Sequence, residues 1–127
     1  MSVLTVEVVT PEALKFTGPA RLVQLPGVLG EMGVLPGHEA LVSMLNPGVL
    51  EVRGTEGTRF FAVAQGFATI ANNKVSVLVD EAVEAGKVNT AKVTEDIARL
   101  ERELVEDNNE RTRYQLAFLK AQLSLKG

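Results

Sequence analysis

All five prolines and ten of the eleven glycines of this 127-residue chain fall before residue 87, and neither type occurs from Lys87 to Lys126. Proline fixes φ and removes a backbone donor, and glycine supplies turn conformations that other residues avoid, so both interrupt long helices. The first 86 residues are thereby confined to short segments separated by turns, while the rest can form long helices. The chain divides into residues 1–86 and 87–127.

The first part reads as β. Leu4, Val6 and Val8 alternate with Thr5 and Glu7, the period of a strand with one face buried. Further short runs follow at Arg21–Leu25, Leu41–Leu45, Val49–Arg53, Arg59–Ala64, Phe67–Ala71 and Lys74–Val79. Pro26-Gly27, Pro36-Gly37, Pro47-Gly48, Gly54–Gly57 and Asn72-Asn73 separate them. Short strands at this spacing predict a sandwich or barrel. Phe60-Phe61 and Phe67 are expected to fill its core.

The second part reads as a helical hairpin, giving an α+β chain: a β-sandwich followed by two antiparallel helices. Val93, Ile97, Leu100 and Leu104 form one helical stripe, and Asn89 or Thr90 is placed to cap its start. The polar run Glu106-Asp107-Asn108-Asn109 predicts the turn, and a second helix follows from Glu110 to about Leu125. That helix carries two apolar stripes on nearly opposite faces: Leu116, Leu119 and Leu123 on one, Tyr114, Phe118, Ala121 and Leu125 on the other. Polar stripes lie between them, Arg111, Gln115, Gln122 and Lys126 on one side, Arg113, Lys120 and Ser124 on the other. Residues 108–127 carry a charge of +3 within a chain of net charge −3. The first helix can cover one apolar stripe. The second needs the sandwich or another protein. Burying a leucine is worth roughly 1.5–3 kcal/mol, against ordering costs of about 1–2 kcal/mol per backbone residue. A small balance of this kind predicts a mobile hairpin, against the alternative of one packed permanently on the sandwich.

Little in the composition supports catalysis. The chain has no cysteine and a single histidine, so thiol chemistry and His-cluster metal sites are excluded. A mild acidic balance argues against nucleic acid as a partner. No apolar run is long enough to span a bilayer, and the N-terminus shows no secretion signal. The run from Gly27 to Gly37 matches neither a phosphate loop nor a dinucleotide turn. It reads as a long loop whose glycines take positive φ. His38 beside Glu39 lacks a nucleophile or metal companion and reads as a polar contact residue. Asp80, Glu81 and Glu84 read as a solvated segment joining the two parts.

The nine residues Gly30-Glu31-Met32-Gly33-Val34-Leu35-Pro36-Gly37-His38 resemble the loop of the epsilon-subunit family of bacterial F-type ATP synthases. Phe16-Thr17-Gly18, Leu41, Pro47-Gly48, Gly66-Phe67 and the run from Asn73 to Ala82 extend the resemblance over essentially the whole chain. The resemblance implies a sandwich of ten strands that binds the gamma subunit and sits on the c-ring, with Glu31 and His38 at contact positions. It implies a non-catalytic central-stalk subunit that couples proton-driven rotation to ATP synthesis. It places the chain peripherally at the cytoplasmic face of the bacterial plasma membrane, or the equivalent side of an organelle membrane. It also implies a hairpin that packs down on the sandwich or extends toward the catalytic beta and alpha subunits, where it inhibits ATP hydrolysis. Arg111, Arg113 and Lys120 then face an acidic segment of beta.

Some family members bind ATP through Ile/Leu-Asp-x-x-Arg-Ala. The corresponding residues here are Val88-Asn89-Thr90-Ala91-Lys92-Val93, with Asn89, Lys92 and Val93 replacing Asp, Arg and Ala. Arg99, Arg113 and Lys120 remain as basic partners, while Ser124 stands where a further Arg is expected. Lysine lacks the bidentate fork of a guanidinium, so weak or absent ATP binding is expected, with no other cofactor and no metal. Two rivals stand beside this reading. A ligand-binding sandwich with a static hairpin requires an aromatic platform, yet aromatics are 5% of the chain. A small hydrolase requires an activity lost on His38→Ala.

Overall fold

In the first strand, Leu4, Val6 and Val8 are fully buried and the residues between them face outward. The computed structural model describes residues 3–125. Its strands are β1 (Leu4–Val9), β2 (Leu14–Ala20), β3 (Leu22–Gly27), β4 (Gly30–Val34), β5 (Leu41–Leu45), β6 (Gly48–Arg53), β7 (Thr58–Val63), β8 (Gly66–Ala71), β9 (Lys74–Val79) and β10 (Ala82–Glu84). Two helices follow, α1 (Thr90–Glu106) and α2 (Glu110–Ser124). Lys126, expected on a polar stripe of the second helix, lies outside the described residues.

The strands run in the order β10-β7-β6-β3-β5-β8-β9-β1-β2, with β4 paired to β3. Every pairing is antiparallel except that of β1 with β9. Strand β3 joins two layers. It pairs with β6 through Leu22–Gln24 and with β5 only at Gly27 opposite Leu45. So slender a joint lets the sheet fold over on itself, and both layers contribute to one core that includes Leu4, Leu25, Leu50, Phe61 and Ile70.

Arg59 on β7 ties together the two ends of the strand order. Its Nε donates to Glu84 Oε2 at 2.6 Å and its Nη2 to Glu84 Oε1 at 2.9 Å, which holds β10. The guanidinium also sits 4.7 Å above the ring of Phe16 on β2, and Phe16 packs 5.5 Å from Phe61. The hydrogen bond from Arg59 is the main reason the Glu84 carboxyl lies below its ordinary value of 4.5. A depressed carboxyl contributes stability that is complete above the unfolded value and is lost as pH falls through the folded one. Urea unfolding from about pH 6 to about pH 3 should therefore show an acid-side loss that Arg59→Gln flattens. Because Arg59 is about half exposed, the effect is small. Identical acid limbs in the two proteins would refute it.

Several expectations need correction. The run Gly27–Gly37 is not one loop: Gly30–Val34 forms β4 against β3. Gly30 and Gly37 do take positive φ, at 127° and 89°. Gly27 is required for a different reason, since a Cβ there would lie 2.7 Å from the Gly30 carbonyl oxygen. Glu84 belongs to a strand rather than a solvated connection. Of the three aromatics placed in the core only Phe61 is there. Phe60 and Phe67 face outward, as the two-residue period requires of neighbours of Phe61 and Ala68.

The helices start and stop where capping chemistry places them. Asn89 Oδ1 accepts the Lys92 N–H at 3.2 Å, and Asn109 Oδ1 accepts the Thr112 N–H at 2.8 Å. Phe118 and Ala121 of α2 are buried on Ala62 and Ala64, with Val49, Val83 and Leu125 packed around them. Leu116 is buried on the opposite side, where α1 packs. Both apolar stripes of α2 are thus covered within the chain, the second by the sandwich. In this conformation the hairpin has no need of an outside neighbour, although Leu123 remains 41% exposed. Gln122, expected on a polar stripe, is buried. Among the described residues no helix is long and apolar enough to cross a membrane.

Candidate functional site

The register of five strands brings apolar side chains into one outward row. Met44 on β5 faces Phe67 on β8, Phe67 faces Leu78 on β9, Leu78 faces Val9 on β1, and Val9 faces Leu14 on β2. Met44, Phe67, Leu78 and Val9 are each out of phase with the buried set of their own strand, and the register shift between Val8 and Val9 sets Leu14 opposite Val9, so the row lies on the outer surface of the layer. Met44 is 61% exposed, Phe67 39% and Leu14 57%. The row continues onto the turn between β3 and β4, because the Val28 N–H donates to the Met44 carbonyl at 2.9 Å. Val28 is half exposed there and Leu29 completely so. Beside the row lies a polar strip in which Ser76 Oγ donates to Glu7 Oε2 at 3.0 Å. Contiguous exposed apolar surface with a polar margin marks a contact surface.

Glu31 stands on β4 next to that turn and accepts from Gln24 Nε2 at 3.3 Å. His38 follows the far end of β4. Its backbone N–H donates to the Leu35 carbonyl at 3.1 Å, and its Nδ1 donates to the Glu39 carbonyl at 2.7 Å. A carbonyl can only accept, which fixes the ring proton on Nδ1. The turn is anchored to the β8–β9 hairpin: the Gly37 N–H donates to Asn73 Oδ1 at 2.7 Å. Asn72 and Asn73 hold left-handed φ of 51° and 60°, as a tight two-residue hairpin turn requires. Glu31 and His38 are not brought together, since the stretch from Glu31 to Val34 alone spans about 10 Å at a strand's rise. They flank the same exposed layer from separate turns.

The basic residues of the hairpin are dispersed. Arg111 is exposed in the first turn of α2. Arg113 Nη1 donates to Asn108 Oδ1 at 2.8 Å, and Lys120 Nζ lies 3.3 Å from Glu101 on α1. Asn89, Lys92 and Arg99 do come together, along a cleft of about 560 Å³ between α1, α2 and the β10 segment. Arg113 and Lys120 do not line it. Asp96 stands between the two cations, 2.8 Å from Lys92 Nζ and 3.2 Å from Arg99 Nη2. The hydrogen bond from Lys92, then that from Arg99, holds its carboxyl below the usual range. Glu103 lies 3.6 Å from Arg99.

Sequence reasoning did not find the apolar row or Asp96. The row's only sequence signal was a set of apolar residues at the outward phase of strands already recognised. Asp96 carried the ordinary spacing of a helical ion pair, i+4 from Lys92 and i−3 from Arg99.

Comparison with known proteins adds an independent observation. Residues 3–85 match the family described as "ATP synthase, Delta/Epsilon chain, beta-sandwich domain". A protein of Bordetella parapertussis named ATP synthase epsilon chain is 36% identical over 126 residues, covering 98% of this chain and 88% of the relative. One of the same name from Campylobacter fetus is 43% identical over 98 residues, covering 76% of each. In fold, the chain is similar to a chain of the Euglena gracilis mitochondrial ATP synthase OSCP/F1/c-ring structure, with a TM-score of 0.80 at 22% identity. That match covers 96% of this chain and 80% of the other.

Proposed function

Because the chain belongs to the ATP synthase delta/epsilon family, we propose that it is the central-stalk epsilon subunit of an F-type ATP synthase, a non-catalytic part of that enzyme. The sandwich docks on the gamma subunit and the c-ring, peripheral to the membrane at its cytoplasmic or equivalent face. There it helps transmit proton-driven rotation to ATP synthesis. The observation that carries this reading is the outward apolar row from Leu14 to Met44 with its extension to Leu29. It is a rigid, partly aromatic surface of the kind that anchors permanent interfaces. Glu31 and His38 border it from two turns, which suits them to polar contacts at its margin. The hairpin lies on the opposite layer, so docking through the row leaves it free to extend toward the beta and alpha subunits and restrain hydrolysis. Extension uncovers Phe118 and Ala121 and carries Arg111, Arg113 and Lys120 toward acidic surface.

The test is capture of the full chain by a gamma subunit, together with its effect on the ATPase rate of the catalytic head. Capture with a changed rate supports the reading. Failure of both overturns it.

Regulatory ATP binding is proposed to be weak or absent. Asn89 spends its side-chain oxygen on capping α1, and Lys92 offers a point charge where a guanidinium fork is needed. Calorimetry of the full chain with ATP should show no binding in the micromolar range. Micromolar affinity would refute this.

A further inference from the structure

Met44 places an exposed sulfur inside the outward apolar row. The sequence has no cysteine and no tryptophan, so its three methionines carry the side chains most open to two-electron oxidation. Two of them, Met32 and Met44, lie among the described residues and line one groove of about 560 Å³ between β4 and β5. Their settings differ. Met32 is half-buried and packs against the core, whereas Met44 is 61% exposed. Met44 faces Phe67 across the pairing of β5 with β8, and its carbonyl accepts the Val28 N–H at 2.9 Å, which fixes it where the row meets the β3–β4 turn. Val28, Leu29, Leu41 and Val42 complete the apolar wall. No side chain there has a donor to spare: Glu31 accepts from Gln24, and the Ser43 hydroxyl is directed to the Met44 carbonyl at 3.4 Å.

We propose that Met44 is an oxidation site that controls docking: a hydroperoxide converts its thioether to the sulfoxide in the free chain, and the oxidised chain is then rejected by the gamma subunit. A sulfur lone pair attacks one oxygen of hydrogen peroxide and the O–O bond breaks. The transferred oxygen gives up its proton to the departing one, which leaves as water. Sulfur is oxidised by two electrons and the peroxide is reduced. The product carries a polar acceptor where the row had a flexible apolar side chain. In the free chain water satisfies that oxygen. Docking expels the water, and no neighbouring side chain can replace it, so the cost falls on the bound state. The fold is spared, because Met44 is not part of the buried core. Docking in turn covers Met44, so assembly shields the thioether and the modification acts on unassembled chains. Sulfoxide reductases reverse it.

The inference rests on the proposed docking of the row on gamma, and the experiment separates the two. The full chain is treated with hydrogen peroxide, mapped by peptide mass spectrometry and then passed, free of oxidant, over an immobilised untreated gamma subunit. Met44 should gain one oxygen before Met32 does, and capture of the treated chain should weaken at least about tenfold, the scale of one polar group left unpaired in an interface. Met44→Leu removes the sulfur and keeps an apolar side chain. Whatever its own baseline, its affinity should not change on the same treatment, although Met1 and Met32 are still present. Reductases specific for the two sulfoxide epimers should restore capture of the oxidised wild type. Circular dichroism should show the same fold before and after oxidation. An untreated chain that gamma does not capture overturns the docking reading and this inference with it. Where gamma does capture the untreated chain, four results overturn this inference alone. They are a Met44 that resists peroxide while Met32 reacts, a sulfoxide at Met44 that leaves affinity unchanged, an equal loss on treatment of Met44→Leu, and a chain that unfolds on oxidation.

Discussion

Phe67→Asp is expected to leave the chain folded and to remove its capture by gamma. Phe67 sits at the middle of the outward row, between Met44 and Leu78. An aromatic at the centre of an apolar contact carries a disproportionate share of its energy, about 2–4 kcal/mol on truncation. A carboxylate in its place must in addition be desolvated on docking. The expected loss of affinity is on the order of a hundredfold or more. The folded state should barely notice, because the side chain already meets water. Phe60→Asp is the matching control. Phe60 is exposed to nearly the same degree, 36% against 39%, but lies on the other layer. Capture measured by surface plasmon resonance should fall for Phe67→Asp and hold for Phe60→Asp. Equal affinities for the two variants would show that the row is not the docking surface.

Phe118→Ala is expected to release the hairpin while the sandwich stays intact. Replacing a buried phenylalanine with alanine costs about 3–5 kcal/mol. The contact between α2 and the sandwich is small: Phe118 and Ala121 on Ala62 and Ala64 form its buried centre. Among the described residues no side-chain hydrogen bond or ion pair joins the helices to the sandwich, so nothing polar holds the helices once the apolar contact is lost. Amide exchange along Glu110–Ser124 should accelerate at least about tenfold, while β1 and β9 keep their protection. In the assembled motor, two changes to the hairpin should act in opposite directions. Phe118→Ala favours the extended form and lowers ATP hydrolysis, whereas deletion of residues 88–127 removes the inhibitor and raises it. If neither changes hydrolysis, the hairpin has no regulatory part in this motor.

How much of this was legible in the sequence depends on how local each signal is. The turn within Glu106–Asn109 and the cap of α1, expected at Asn89 or Thr90 and found at Asn89, came out of helix-terminus chemistry, which a few adjacent residues specify; Asn109 was read only as part of the turn. Strands β5 and β9 were expected at the bounds they take, because turn residues mark both of their ends. The missed strands lacked such signals. In β2, Gly18 and Pro19 interrupt the pattern, and a register shift between Val8 and Val9 disturbs its pairing with β1. Strand β4 is two-fifths glycine and read as loop. Strand β10 is three residues long and is held by pairing with β7 and by Arg59. The candidate docking surface was illegible for a different reason. Met44, Phe67, Leu78, Val9 and Leu14 become neighbours only once five strands, drawn from both ends of the sandwich, have fixed their registers. Glu31 and His38 were reached through a local motif, but their separation by the length of β4 was not.

The parallel pairing of β1 with β9 has a consequence for synthesis. Thr5 lies opposite Lys74, so during synthesis β1 waits about 70 residues for one of its two partners. Until then one flank of Leu4–Val9 offers unpaired amides and carbonyls to any extended chain nearby. The newborn sandwich is thus most vulnerable to clumping while it is nearly complete. A helper that shields its leading segment should raise the yield of this chain far more than one that tends its helices.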